Sequence, residues 1–406
     1  MTKRSTLVTP VVIAMIAGFA AAACTDGGEP REEATPPPSD RPTTAAETDD
    51  AIAEADDLDA DDDELGVPPA LPTSTTPSSI EVNDLAWSTG TKKLLDLRIQ
   101  FPDLPSASTQ DRDMSSLLEM ASHYRAYSYG RTDVVPTVSA RAYTLPHPAA
   151  YYATQTRALA NTALMNDAIA AAAGDYTASA FDRVIVHFPS LSKIAGSNVK
   201  YGGWSQIHGP HSWLNGGFGW RLLAHEIGHS YGCYHANRWT VSNGDPLSAT
   251  GRAVEYGDKF DIMGGDWAND PRLDFNEAYK RKLGWLPATS VDVVTTPGRY
   301  RISRFDDSRA SGVVAIRIKK DDKTDYWIGY RRAFTDNASL SNGAYVTMVS
   351  SSSISSLLVD VTPTTGYEDA ALPIGRTLSD GHVSLTPVAN GGVAPYEWLD
   401  VDVAFP

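Results

Sequence analysis

From about residue 83 onward, apolar positions follow two periods. Alternation or a short apolar run predicts strands over KKLLDLRIQF (92–101), VVPTVSARAYTL (134–145) and FDRVIVHF (181–188). Spacings of three and four predict helices over SSLLEMASHYRAYSYG (115–130) and TRALANTALMNDAIAAAAG (156–174). A further helix is predicted where WRLLA (220–224) leads into a stretch that stops at Gly232, and the glycine-rich NGGFG before it reads as a hinge. After about Pro287 the pattern becomes short alternating strands: GRYRIS, VVAIRIK, YWIGYRR, GAYVTM, HVSLTPV and EWLDVDVAF, separated by turn-rich segments such as FDDSRAS and TDNASLSNG. This order predicts an α+β chain, in which a mixed sheet with two long helices is followed by an antiparallel β-sandwich-like domain. No period of 20 to 50 residues recurs, which excludes a repeat array.

The chain before residue 83 has a different character. Lys3 and Arg4 precede an apolar run from Leu7 to Ala23, interrupted by Thr9 and Pro10 and ending in AAAC at Cys24. That reads as a secretory signal with a lipobox-like end; a spanning helix fits less well, because the run is marginal in length and breaks into a polar stretch. From Thr25 to Ser79 there are sixteen acids against Arg31 and Arg41, so most of the net charge of −16 belongs to this segment. With few large apolar residues it cannot bury a core, and it reads as a disordered tether spanning roughly 40 Å. Its aspartate run lacks the glycine and glutamate spacing of an EF-hand loop, so calcium finds no support there. The expected organisation is a signal with lipobox cysteine (1–24), a tether (25–82), a first domain (83–288) and a β-rich domain (289–406).

The candidate chemistry lies in HEIGHSYGCYH, from His225 to His235. His225 and His229 are four apart and share one face of a helix, so both reach one metal. Glu226, between them, projects close to the same metal, where it can deprotonate a water. Gly232 permits the left-handed conformation that ends the helix, and the chain then delivers His235 from another direction. Three imidazoles leave a fourth position for water, which is the arrangement of a catalytic zinc site. Downstream, EYGDKFDIMGG (255–265) places Met263 in a tight glycine-rich turn.

These segments, with GCYHANRW and FNEAYKRKLGWLP, resemble the gametolysin-like peptidases of the metzincin clan and their bacterial relatives, over roughly residues 90 to 290. The resemblance implies a zinc metalloendopeptidase with His225, His229 and His235 as ligands, Glu226 as general base and Met263 as the methionine beneath the metal. It also implies that YGGWSQIHGPHSW (201–213) supplies an antiparallel edge strand that pairs with an extended protein or peptide substrate. Gly265 stands where some metzincins have a tyrosine ligand; Tyr231, Tyr234 and Tyr256 are read as packing residues. Ala236 after His235 argues against the better-known subfamilies. By resemblance to bacterial lipoproteins, Cys24 would carry the lipid that anchors an exported, cell-surface or outer-membrane protein, the alternative being plain secretion.

Only Cys24 and Cys233 are present, so acylation of Cys24 excludes an intrachain disulfide, and Cys233 is expected as a small buried hydrophobe. His208 and His211 are not needed as ligands, because the triad is complete without them. No basic stripe with interleaved aromatics occurs, which argues against nucleic acid. Nothing in the sequence sets an oligomeric state. Two other readings compete: a catalytically silent surface-binding protein that keeps zinc for structure, disfavoured by the intact Glu226, and a zinc hydrolase of cell-wall peptides.

Overall fold

The computed structural model describes residues 85–265, 269–350, 355–363, 366 and 368–406. The expected signal, Cys24 and the acidic tether lie outside the described residues. Among those described, no helix is long and apolar enough to cross a membrane.

Six strands form the first sheet: β1 (Gly90–Gln100), β2 (Thr132–Val138), β3 (Tyr143–Thr144), β4 (Arg183–Phe188), β5 (Gly203–Ser205) and β6 (His211–Asn215). Their order is β2-β1-β4-β6-β5, with β3 also paired to β1. Every pairing is parallel except the last, where β5 at the edge runs antiparallel to β6. Five helices accompany the sheet: α1 (Leu85–Ser88), α2 (Gln110–Tyr127), α3 (Ala149–Ala153), α4 (Arg157–Ala172) and α5 (Trp220–Ser230). Successive β1 side chains point to opposite faces, and both faces are covered. Leu95 and Leu97 pack with Tyr152 of α3 and Leu164 of α4, while Leu94 packs with Leu117 of α2 and with Leu223 and Ile227 of α5.

Two expectations shift here. The single strand expected over 134–145 is interrupted at Ser139. The Ser139 N–H donates to the Asp96 carbonyl at 2.9 Å, and its Oγ accepts the Arg98 N–H at 3.0 Å, so a hydroxyl replaces a ladder bond and the chain turns before β3. Helix α2 begins five residues before the expected start, because Thr109 caps it by accepting the Arg112 N–H at 3.4 Å and Asp111 and Asp113 occupy its first turn.

The remaining elements are β7 (Ala236–Thr240), β8 (Arg252–Val254), α6 (Glu277–Lys282), β9 (Val291–Val294), β10 (Gly298–Ser303), β11 (Ala315–Lys319), β12 (Thr324–Tyr330), α7 (Ala338–Ser341), β13 (Gly343–Ser350), β14 (Ser356–Val359), β15 (Leu372–Pro373), β16 (Leu378–Ser379), β17 (Ser384–Gly391) and β18 (Trp398–Ala404). Two sheets result. One has the order β8-β7-β14-β13-β12-β11-β9 with β15 beside β13, and the other β10-β18-β17-β16. Their inner faces meet through Ile302, Ile316, Ile328, Val346, Leu385 and Val401, which makes a two-layer sandwich.

The smaller sheet is antiparallel throughout. The larger one is mixed rather than antiparallel as expected, because β9 pairs parallel to β11 and β14 parallel to β7. For β9 and β11 the reason is topological: β10 between them sits in the opposite sheet, so the chain leaves and re-enters in the same direction. Strands from both sides of the expected 288/289 boundary share this sheet, since β7 and β8 precede that boundary and β9 and β11 to β15 follow it. The described residues together form a mixed α+β structure.

Candidate metal centre

Helix α5 has the sequence WRLLAHEIGHS, in which Trp220, Leu223, Ala224 and Ile227 repeat at helical spacing and enter the core. The opposite register carries His225 and His229. The helix ends in a Schellman closure: Gly232 has φ 99°, its N–H donates to the His229 carbonyl at 2.8 Å, and the Cys233 N–H donates to the Gly228 carbonyl at 3.1 Å. Only glycine adopts that φ without strain, so Gly232 turns the chain and brings His235 back to the helix.

One ring nitrogen from each of His225, His229 and His235 lies within 4.8 Å of the other two, and all three residues are buried. Among the described residues this is the single group of histidine, cysteine and acidic side chains able to hold a metal ion. The three Nδ1 atoms are already engaged. That of His225 lies 2.9 Å from the Ile262 carbonyl, that of His229 2.8 Å from the Cys233 carbonyl, and that of His235 2.6 Å from Glu255 Oε1. A carbonyl or carboxylate only accepts, so each Nδ1 carries a proton and Nε2 is the ring atom that would ligate a metal. Burial, followed by the neighbouring His229 ring and the Arg221 guanidinium, holds the His225 pKa well below the usual histidine value, which keeps that ring neutral.

Glu226 is buried, and its carboxylate is not part of the ligand group. Ser205 Oγ on β5 lies 2.7 Å from both Glu226 Oε2 and Ser212 Oγ. A hydroxyl has one proton, so Ser205 donates to the carboxylate and accepts from Ser212. Strand β5 also passes very close to this acid. A Cβ at Gly203 would lie 2.5 Å from Glu226 Oε1, so any larger residue there would displace the carboxylate.

The methionine turn packs against the same helix. Met263 is fully buried, and a Cβ at Gly228 would lie 2.3 Å from its Sδ. The Met263 carbonyl accepts the Ala236 N–H at 2.8 Å, and Asp261 Oδ1 accepts the Met263 N–H at 2.7 Å. The turn therefore touches the metal-binding segment at three points, once at a ligand and twice at its neighbours: through Ile262 to His225, beside Gly228, and at Ala236 following His235.

Cys233 is buried outside the ligand group, and burial pushes its thiol up to about 12. It packs as the small hydrophobe expected. His208 and His211 are likewise outside the group; His208 packs edge-on against Trp87, with centroids 5.0 Å apart. Tyr231 lies in the core, and the Tyr256 ring packs on His235 with centroids 3.9 Å apart. Gly265 gives Tyr256 its space, since a Cβ at Gly265 would lie 2.5 Å from Tyr256 Cβ.

Sequence reasoning did not single out Ser205, Gly203 or Glu255. Glu255 stands twenty residues from His235, and no periodicity links the two; Ser205 and Gly203 had only the expected edge strand to mark them. Fold and site together define an α+β protein with a buried three-histidine centre able to bind a metal. No model of a known protein family matches this chain, and no curated protein matches it.

Proposed function

We propose that the chain is a zinc-dependent endopeptidase that hydrolyses peptide bonds in proteins, in line with its resemblance to gametolysin-like metzincins. The observation that carries this reading is a buried carboxylate, Glu226, beside three histidines whose Nδ1 atoms are all occupied and beneath the antiparallel edge strand β5. Three neutral imidazoles without a thiolate suit zinc and leave one coordination position open. Held by His225, His229 and His235, zinc would supply a Lewis acid and lower the pKa of a water to about 7.

The chain's own residues account for the rest. An extended peptide adding to the outer edge of β5 brings a peptide bond near Glu226, with chain on both sides of the cut. Glu226 takes a proton from the attacking water as the oxygen bonds to the carbonyl carbon. It then gives that proton to the amine nitrogen as the C–N bond breaks. The Ser205 hydroxyl donates to Oε2 of this carboxylate and so fixes its orientation. Met263 supports the histidines from the core without contacting substrate.

The location proposed is export followed by membrane anchoring through lipid on Cys24, with the acidic segment as spacer; plain secretion is the alternative. The functional reading is tested by incubating the full chain, with and without a chelator, with unfolded casein and with cell-wall peptides, and by mapping the products. Chelator-sensitive internal cleavage of casein is expected. Cleavage confined to cell-wall peptides would move the substrate class, and zinc binding without any cleavage would leave a binding protein.

A further inference from the structure

Asn276 precedes α6 and lies outside the zinc motif, yet its polar atoms join two supports of the metal-binding histidines. Its N–H and its Nδ2 both donate to Asp261 Oδ2, at 2.6 and 2.8 Å. Asp261 in turn accepts the Met263 N–H, and the intervening Ile262 carbonyl holds His225 Nδ1. In the other direction, Asn276 Nδ2 donates to Ser356 Oγ at 2.9 Å. The Ser356 N–H donates to Tyr279 Oη at 3.1 Å, and that hydroxyl lies 2.9 Å from the Tyr234 carbonyl and 3.0 Å from the His235 carbonyl. Ser356 is also the residue of β14 in register with Ala236, immediately after His235. Asp261, Asn276, Tyr279 and Ser356 are all buried, so the network is shielded from water.

We propose that Asn276 is a positioning residue of the metal centre, coupling the carbonyl that orients His225 to the backbone that carries His235, and that Ser356 brings the C-terminal sandwich into that task. The assignment rests on the zinc reading above. Its physical basis is that an imidazole binds metal well only when the groups behind it are fixed, and loss of such outer partners typically weakens affinity 10- to 100-fold. One carboxylate contact and one hydroxyl contact from a single side-chain amide, with a second carboxylate contact from the backbone N–H of the same residue, tie the first and third ligands into one unit. The β-rich half of the chain is thereby part of the centre rather than an appendage.

A simpler role is available to Asn276, because its Oδ1 accepts the Tyr279 N–H at 3.0 Å and so caps α6. Asn276→Ser retains a capping oxygen and removes the amide donors, which separates the two roles. The measurement is Zn²⁺ affinity of the full chain by competition with a chelating dye, together with the visible spectrum of the Co²⁺ form and circular dichroism of the metal-free form. Asn337→Ala serves as control, since Asn337 caps α7 in the same way, accepting the Ser339 N–H, without touching the centre. Asn276→Ser is expected to keep its secondary structure, lose 10- to 100-fold in Zn²⁺ affinity and alter the Co²⁺ spectrum, while Asn337→Ala changes neither metal readout. Ser356→Ala, which cuts one arm, should weaken Zn²⁺ binding in the same direction by a smaller factor, and it decides the matter if Asn276→Ser does not fold. Zn²⁺ affinity within twofold of native in the folded Asn276→Ser, or failing that in Ser356→Ala, overturns the assignment and leaves the peptidase reading intact. A native chain that binds Zn²⁺ but cleaves no peptide overturns the peptidase reading and leaves this assignment testable on the same variants.

Discussion

Gly228 and Met263 share one small volume: a methyl group at Gly228 would lie 2.3 Å from Met263 Sδ and 3.2 Å from Phe275 Cζ. The glycine between Glu226 and His229 therefore lets the methionine turn pack flush against the helix that bears the first two histidines. Gly228→Ala should cost about 1–3 kcal/mol through overpacking and should weaken metal binding. Met263→Leu roughly conserves volume and should cost less than about 1.5 kcal/mol, whereas Met263→Glu should lose the metal through a buried unpaired charge. Urea melts of the single variants and of Gly228→Ala combined with Met263→Ala test this contact. Strictly additive effects in the double variant would show that the two side chains do not compete for the space.

Glu226→Ala should retain zinc while hydrolysis falls by about 10²- to 10⁴-fold, because it removes a proton acceptor and no ligand. Gly203→Ala provides an independent check. Its new methyl displaces a carboxylate at the end of a flexible side chain, so the chain should fold and bind zinc yet turn over slowly. Zinc content and kcat measured on both proteins decide the point, and normal turnover in Glu226→Ala would reassign the base.

Glu255 holds His235 Nδ1 from a position where its side chain is 47% exposed. Water partly replaces it when it is lost, so Glu255→Gln should weaken zinc binding by about tenfold, the lower end of the usual range for such partners. Dye competition at fixed pH reads this directly. An unchanged affinity would mean that solvent orients His235 equally well.

Glu277 is buried in α6, and no other described residue hydrogen-bonds to either of its carboxylate oxygens. Burial raises its pKa from 4.5 to about 7. The folded chain therefore binds more protons than the unfolded chain between those values, and stability falls as pH rises from about 4.5 to about 7. Glu277→Gln should remove this component: it should be more stable than native at pH 7.5, by on the order of 3 kcal/mol, and close to native near pH 4.5. Denaturant melts at the two pH values provide the comparison, and parallel pH slopes for both proteins would reject it.

Cys24→Ser should leave the protein unprocessed or released from the membrane fraction, with peptide hydrolysis unchanged, because the acidic segment separates Cys24 from the zinc motif. A lipoprotein's two or more acyl chains anchor stably where a single short chain does not. Mass analysis of the amino terminus with membrane fractionation tests this. Native protein that is wholly soluble with an unmodified terminus would reject the anchor and leave the peptidase reading standing.

The sequence by itself determined the features that depend on local spacing. His225 and His229 share a helix face because four residues make about one turn, and Gly232 ends that helix because it alone tolerates the required φ, so both are legible without a third dimension. The same holds for α4, whose buried Ala160, Leu164, Met165, Ala168 and Ala172 recur at helical spacing, and for β1 and β4, which short apolar runs mark as strands. Only the tertiary structure decided what closes the site. Ser205 reaches Glu226 across 21 residues, Glu255 reaches His235 across 20, and Asn276 reaches Ser356 across 80. It also decided that β14 would run beside β7 and join the C-terminal strands to the residue after His235. No local pattern encodes such pairings, because a hydrogen bond between distant segments depends on where sheet order and packing bring them, and a buried serine or asparagine has the same local signature whether it caps a turn or braces a histidine.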